Sequence, residues 1–197
     1  MSELDILLKE IRACTICKGL IPEPIRPFLQ ASSQAKILIA GQAPGKKVHK
    51  TGIIFNDPSG DRLRQWMGIS KEIFYDKTKI AILPMGFCYP GSSDHGDLAP
   101  RPECAPAYRE QLLRLLPNIE LTLVIGKYAQ AYHLKQSHTS LTALVQNWQD
   151  YLPLVMPLPH PSPRNNIWLK KNPWFSKEVL PALRQRVSEL IPDTTKE

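Results

Sequence analysis

Apolar residues fall into two rhythms along this chain, and the alternation of the two predicts an α/β fold. Four runs are short and continuous: Lys36-Ile37-Leu38-Ile39-Ala40, Lys79 to Leu83, Leu121 to Ile125 and Leu154-Val155-Met156-Pro157-Leu158. Blocks of this length, bounded by glycine, proline or polar clusters, read as buried strands. Elsewhere the apolar positions recur every three or four residues. Leu4, Leu7, Leu8 and Ile11 predict an amphipathic helix over Glu3 to Ala13, and Leu63, Trp66 and Met67 predict one capped by Ser59 and stopped at Gly68. Leu112, Leu113 and Leu116 predict a third over Ala105 to Leu116, with Pro106 harmless in its first turn. Further helices are expected from Gly126 to about Leu134, from a Thr139 or Ser140 cap through Trp148, and from about Phe175 to Leu190. Lys18 to Gln34 reads as an extended connection and Lys46 to Asp57 as a loop. Strands alternate with helices and no hairpin signal occurs. The expected architecture is a three-layer α/β/α fold with a mostly parallel four-stranded sheet, in a single domain over residues 1–197.

A parallel sheet places the loops that follow its strands at one end, where ligands of open α/β sheets bind. The first strand empties into Gly41-Gln42-Ala43-Pro44-Gly45, and the fourth into His160-Pro161-Ser162-Pro163. These are the expected walls of one pocket. Tyr89 to Glu103 is too long for a plain connection, and long loops in compact domains usually serve function.

Composition changes this picture little, but charge does. With 43% apolar and 22% charged residues the chain is ordinary for a globular protein, and no apolar run approaches a membrane span. An acidic start at Met1-Ser2-Glu3-Leu4-Asp5 is unlike a signal peptide, so a cytoplasmic address is expected. The net charge of +7 favours polyanionic partners. Nineteen prolines, most of them in loops, stiffen those loops and suit a preformed site.

Four cysteines stand at Cys14, Cys17, Cys88 and Cys104. A cytosolic Cys-x2-Cys is a zinc half-site or a redox pair, but a redox pair should follow a strand and open a helix, and this one precedes the first strand. Four thiolates satisfy one tetrahedral zinc or one cubane cluster, and spacing alone leaves both open beside four unrelated buried thiols.

Taken together, the Gly41–Gly45 turn, the His160–Pro163 segment and the cysteine spacing resemble the uracil-DNA glycosylase superfamily, most closely its iron–sulfur branch. The resemblance runs from about Cys14 to Pro163 in matching order. It implies a 4Fe-4S cluster on Cys14, Cys17, Cys88 and Cys104, with zinc as the alternative. It further implies a uracil-stacking aromatic at Phe55, a leaving-group histidine at His160, and a sugar and base pocket lined by Gly41, Gln42, Ala43, Pro44, Gly45 and Ser162. The substrate would be DNA carrying uracil or another damaged base, and the protein a monomer.

Two departures stand out. The family's first-motif Glu is Gln42 here, followed by Lys46-Lys47-Val48 in place of acidic residues, and Pro84 or Met85 occupies the region of a base-reading Asn.

Glycosidic hydrolysis needs a donor for the departing base and negative or dipolar groups beside the cationic sugar. His160 suits the first role. Asp57, Asp61, Asp94 and Gln42 are candidates to position water, with Asp57 preferred, although Asn56-Asp57-Pro58-Ser59 also suits a helix cap. His49 is a lesser candidate. Arg164, Asn165 and Lys170, with Lys171, extend the His160 loop and are expected to meet DNA phosphates. Two other readings stay open: a nucleic-acid-binding relative without catalysis, and a zinc-stabilised enzyme binding a phosphate ligand at the Gly41 turn.

Overall fold

The computed structural model describes residues 1–94, 96–136 and 139–192. Helix α1 (Glu3–Arg12) starts at a capping box, in which the Ser2 hydroxyl accepts from the Asp5 N–H while the Asp5 carboxylate accepts from the Ser2 N–H. Strand β1 (Ile37–Ala40) is followed by helices α2 (Lys46–Thr51), α3 (Pro58–Met67) and α4 (Lys71–Tyr75), then by β2 (Ile80–Ile82). After the two short strands β3 (Ser92–Ser93) and β4 (Gly96–Asp97) come α5 (Cys104–Arg114), β5 (Leu121–Ile125), α6 (Gly126–Leu134) and α7 (Leu141–Gln146). The chain ends with β6 (Val155–Leu158), α8 (Asn166–Lys171) and, after one π turn over Phe175–Val179, α9 (Leu180–Leu190).

The main sheet has the order β2-β1-β5-β6 and is parallel throughout. Side chains alternate between its faces. Ile37 and Ile39 point to a core with Leu63, Trp66 and Met67 of α3 and Leu183 and Val187 of α9. Leu38 and Ala81 point oppositely, to Leu4, Leu8 and Ile11 of α1 and Leu112 of α5. Helices thus cover both faces, as the three-layer expectation requires. The free edge of β2 is closed by Gln30, whose backbone exchanges hydrogen bonds with Ile82 at 3.0 and 2.7 Å. No helix among the described residues is long and apolar enough to cross a membrane.

Several local expectations need correction. Lys46 to Thr51 is helical rather than loop, because six residues burying only Val48 give no readable period. Helices α4 and α8 are equally short and were not anticipated. Asp57, not Ser59, caps α3: its carboxylate accepts from the Gly60 N–H at 2.9 Å, and Pro58 takes the first turn. A hairpin exists after all, since β3 and β4 pair antiparallel within the long loop after β2. Strands of two residues, the first exposed throughout and the second burying only Gly96, carry no hydrophobic alternation by which to be found.

Candidate active site

Strands β1 and β6 are separated only by β5, so their carboxyl ends open on the same side, into a cleft of about 510 Å³. Gly41 to Gly45 form one wall and His160 to Asn165 the opposite one. Phe55, Asp57 and Ser59 close a third side, and Asp97 of β4 leans in from the hairpin.

The His160 wall is tied down through its backbone. Asn165 Nδ2 donates to the His160 carbonyl at 2.7 Å, and Arg62 of α3 donates to the Ser162 carbonyl at 3.2 Å. The Ser162 hydroxyl accepts from the Arg164 N–H. Because His160 Nδ1 accepts from the Ser162 N–H at 3.2 Å, the neutral ring carries its proton on Nε2. Burial pushes the His160 pKa down, partly offset by the carboxylates of Asp57 and Asp97. The neutral form, with one N–H to donate, therefore prevails at neutral pH.

The first-motif wall hangs on the turn after β2. The Met85 N–H donates to the Gly41 carbonyl at 2.8 Å, and the Gly86 N–H to that of Gln42 at 3.0 Å. The Gln42 amide donates to the Leu98 carbonyl at 2.9 Å, so it grips the long loop. Phe55 adopts φ +55°, a left-handed conformation that costs a β-carbon-bearing residue about 1–3 kcal/mol. The neighbours that hold it are the Tyr75 hydroxyl, donating to the Ile54 carbonyl at 2.7 Å, and the edge of Phe74 at 5.8 Å between ring centroids.

Pro84 lines the cleft near the position of the expected base-reading Asn. Behind it, fully buried Arg109 donates to the carbonyls of Leu83 (2.8 Å) and Pro84. His133 Nε2 lies 3.4 Å from Arg109 Nη1, and burial together with that guanidinium pushes its pKa from 6.5 down to about 4. Below its ordinary pKa the unfolded chain binds a proton at His133 that the folded chain refuses until about pH 4, so this contribution to stability is lost as pH falls between those values. Urea unfolding is expected to show a lower midpoint at about pH 5 than at about pH 7, and His133→Gln should remove part of the difference. Equal pH dependence in the variant would exclude His133 as its source.

The four cysteines line a second pocket, with Ile11, Phe87 and Tyr108. Cys14 and Cys17 follow α1, Cys88 follows β2, and Cys104 opens α5. Burial, reinforced by the other thiols, pushes the Cys88 thiol up to about 12, and burial pushes Cys104 to about 11. None of the four is in a disulfide. Among the described residues, no group of three or more His, Cys, Asp or Glu is placed to hold a metal ion. The segment Pro84 to Cys88 runs directly from the cleft to the thiol pocket.

Of the residues expected in the site, Gly41, Gln42, Ala43, Pro44, Gly45, Phe55, Asp57, His160, Ser162, Arg164 and Asn165 meet in the cleft. Lys170 does not line it; it sits exposed on α8. Asp61 is instead paired with Arg64, and Asp94 is absent from the lining. His49 packs against Tyr89 in a separate groove. Sequence reasoning missed Ser59, Arg62 and Asp97. Asp94 and Asp97 belong to the same loop, and only the pairing of β3 with β4 decides which carboxylate turns inward.

The fold and site define an α/β protein with a cleft at the carboxyl ends of a parallel sheet, between a first-strand Gly/Pro turn and a last-strand His-Pro-Ser-Pro loop. A family model described as the Uracil DNA glycosylase superfamily matches residues 28–184, and the chain belongs to that superfamily. A Type-4 uracil-DNA glycosylase of Saccharolobus solfataricus is 24% identical over 180 residues, covering 82% of this chain and 77% of that protein. The solution NMR structure of a candidate uracil DNA glycosylase from Methanosarcina acetivorans is 17% identical and gives a TM-score of 0.47, covering 79% of this chain and 93% of that one.

Proposed function

We propose that this protein is a base-excision glycosylase that hydrolyses the N-glycosidic bond of uracil, or a related damaged base, flipped out of DNA. The observation that carries the reading is the neutral imidazole of His160, with its proton on Nε2, facing the Gly41–Gly45 loop across one cleft. As the bond from C1′ to the base nitrogen breaks, its electron pair leaves with the base, and an N–H donor aimed at the base oxygen stabilises the developing charge. Phe55 offers its ring as a stacking face, and Arg164 and Asn165 at the rim, with Lys170 beyond it, suit contact with phosphates. Incubation with a uracil-containing oligonucleotide followed by alkali should cut the strand at uracil; intact strand would overturn the reading. That outcome would favour a binding protein without catalysis, a reading that Gln42 in place of an acid supports.

The donor set of the thiol pocket suits a 4Fe-4S cluster, with zinc the alternative: four half-buried cysteines from three segments, none in a disulfide, line one recess. Binding would have to draw their sulfurs together, since no three of them are placed to hold an ion as they stand. Cys14, Cys17, Cys88 and Cys104 would hold it as thiolates, and when bound it would crosslink the ends of α1 and β2 to the start of α5. Cys88→Ser is expected to lose both metal and solubility, read as iron content and visible absorption of anaerobically purified protein. Full iron content in that variant would remove Cys88 from the ligand set.

A further inference from the structure

Two carboxylates reach the cleft, and they are not equally free. Asp57 spends Oδ1 on the Gly60 N–H, as the cap of α3. Among the described residues, the Asp97 carboxylate accepts no hydrogen bond and joins no ion pair. It lies directly over the first-motif loop, with Oδ2 3.1 Å from the position a β-carbon would take on Gly45. A β-carbon there would crowd the carboxylate and push it back by a few tenths of an ångström.

The hairpin that carries Asp97 is held by the residue that replaces the family's acid. Gln42 Nε2 donates to the carbonyl of Leu98, next in the chain, while the Leu98 N–H donates to Gly91 at 2.9 Å and Asp97 pairs with Ser92. Arg164 also packs over the hairpin, its guanidinium filling the space beside Gly96 where a side chain would stand. Residue 42 and the Asp97 carboxylate thus line the same cavity, the second arriving from the loop after β2.

We propose that Asp97 is the catalytic carboxylate of this cleft, and that Gln42 is its positioning residue. The assignment rests on the glycosylase reading above. In the step, the water oxygen forms a bond to C1′ and one water proton passes to the Asp97 carboxylate. The C1′–N pair departs with the base as an anion, hydrogen-bonded by His160 Nε2–H, and solvent later removes the proton from Asp97. The ionised carboxylate also faces the cationic sugar before attack. The charged and titratable groups around it are His160 and Arg164 from the β6 loop and Asp57 from the head of α3; burial raises the Asp97 pKa, and Arg164 and His160 oppose that rise.

The test is single-turnover excision from a uracil-containing oligonucleotide by wild type, Asp97→Asn, Asp97→Glu, Asp57→Asn and Gln42→Leu, with oligonucleotide affinity and thermal unfolding measured alongside. Asp97→Asn is expected to lose about 100-fold or more in rate with affinity within about threefold of wild type, and Asp97→Glu to recover part of the loss. The acid limb of the pH–rate profile should vanish in Asp97→Asn and persist, displaced, in Gln42→Leu. Asp57→Asn should lower thermal stability more than rate. If wild type excises uracil and Asp97→Asn stays within about threefold of it, the role of Asp97 is overturned while the glycosylase reading stands. A wild type inert on the oligonucleotide overturns that reading, and this assignment with it.

Discussion

His160→Ala is expected to abolish uracil excision, with a loss of about 10²–10³ in rate, while the protein stays folded. The magnitude follows from what is removed. In the neutral ring, Nδ1 is committed to the Ser162 N–H, so Nε2–H is the one donor that the imidazole offers to the cleft. A preorganised donor stabilises a leaving anion far better than water would, since no dipole has to reorient as charge develops. The fold should survive because the loop is fastened through other atoms: Asn165 binds the His160 carbonyl and Arg62 the Ser162 carbonyl, and neither contact uses the imidazole. Burial depresses the His160 pKa, so the working neutral form is already present at neutral pH and wild-type activity should not fall as pH rises from about 7 to about 8. Retention of excision by His160→Ala, or a wild-type rate that drops over that pH range, would refute the assigned role. Thermal unfolding of the variant separates lost chemistry from lost structure.

Gly60→Ala is expected to be the most damaging single methyl group that can be added to the site. A β-carbon on Gly60 would lie 1.8 Å from the Phe55 carbonyl oxygen and 2.6 Å from its carbonyl carbon. Those are backbone atoms of a residue already left-handed, so no flexible side chain can swing aside. Relief requires α3 to withdraw or the Ile54–Asp57 segment to leave the cleft. Overpacking of this kind costs about 1–3 kcal/mol or more, and Ala's better helix propensity, worth roughly 1 kcal/mol over Gly, offsets little of it. Urea unfolding should show the loss, and excision should fall with it because the Phe55 ring leaves its place in the cleft. Wild-type stability in Gly60→Ala would mean that helix and turn are not pressed together as described.

Much of the cleft's architecture is legible in the sequence, for a definite reason. The loops at Gly41 and His160 each follow a run of buried residues, and parallel strand order puts such loops at one end whatever the details of packing. The four cysteines were readable as a set from number and residue type, and the fold brings them to one recess. Which carboxylate overhangs the cleft is not readable. Asp57, Asp61, Asp94 and Asp97 are equivalent as letters; one caps a helix, one pairs with Arg64, one does not line the cleft, and one overhangs Gly45. What Gln42 does was equally hidden, because its partner stands 56 positions further on, in an irregular loop.

By itself the order of residues determined the alternation of strands and helices and the two strand-end loops that had to meet. Those follow from local periodicity and residue type, which act over a few positions. Tertiary structure alone decided which nitrogen of His160 carries the proton, which aspartate overhangs the cleft, and why residue 60 has no side chain. Each of these is set by a contact between segments far apart in the chain, and such contacts leave no period to read.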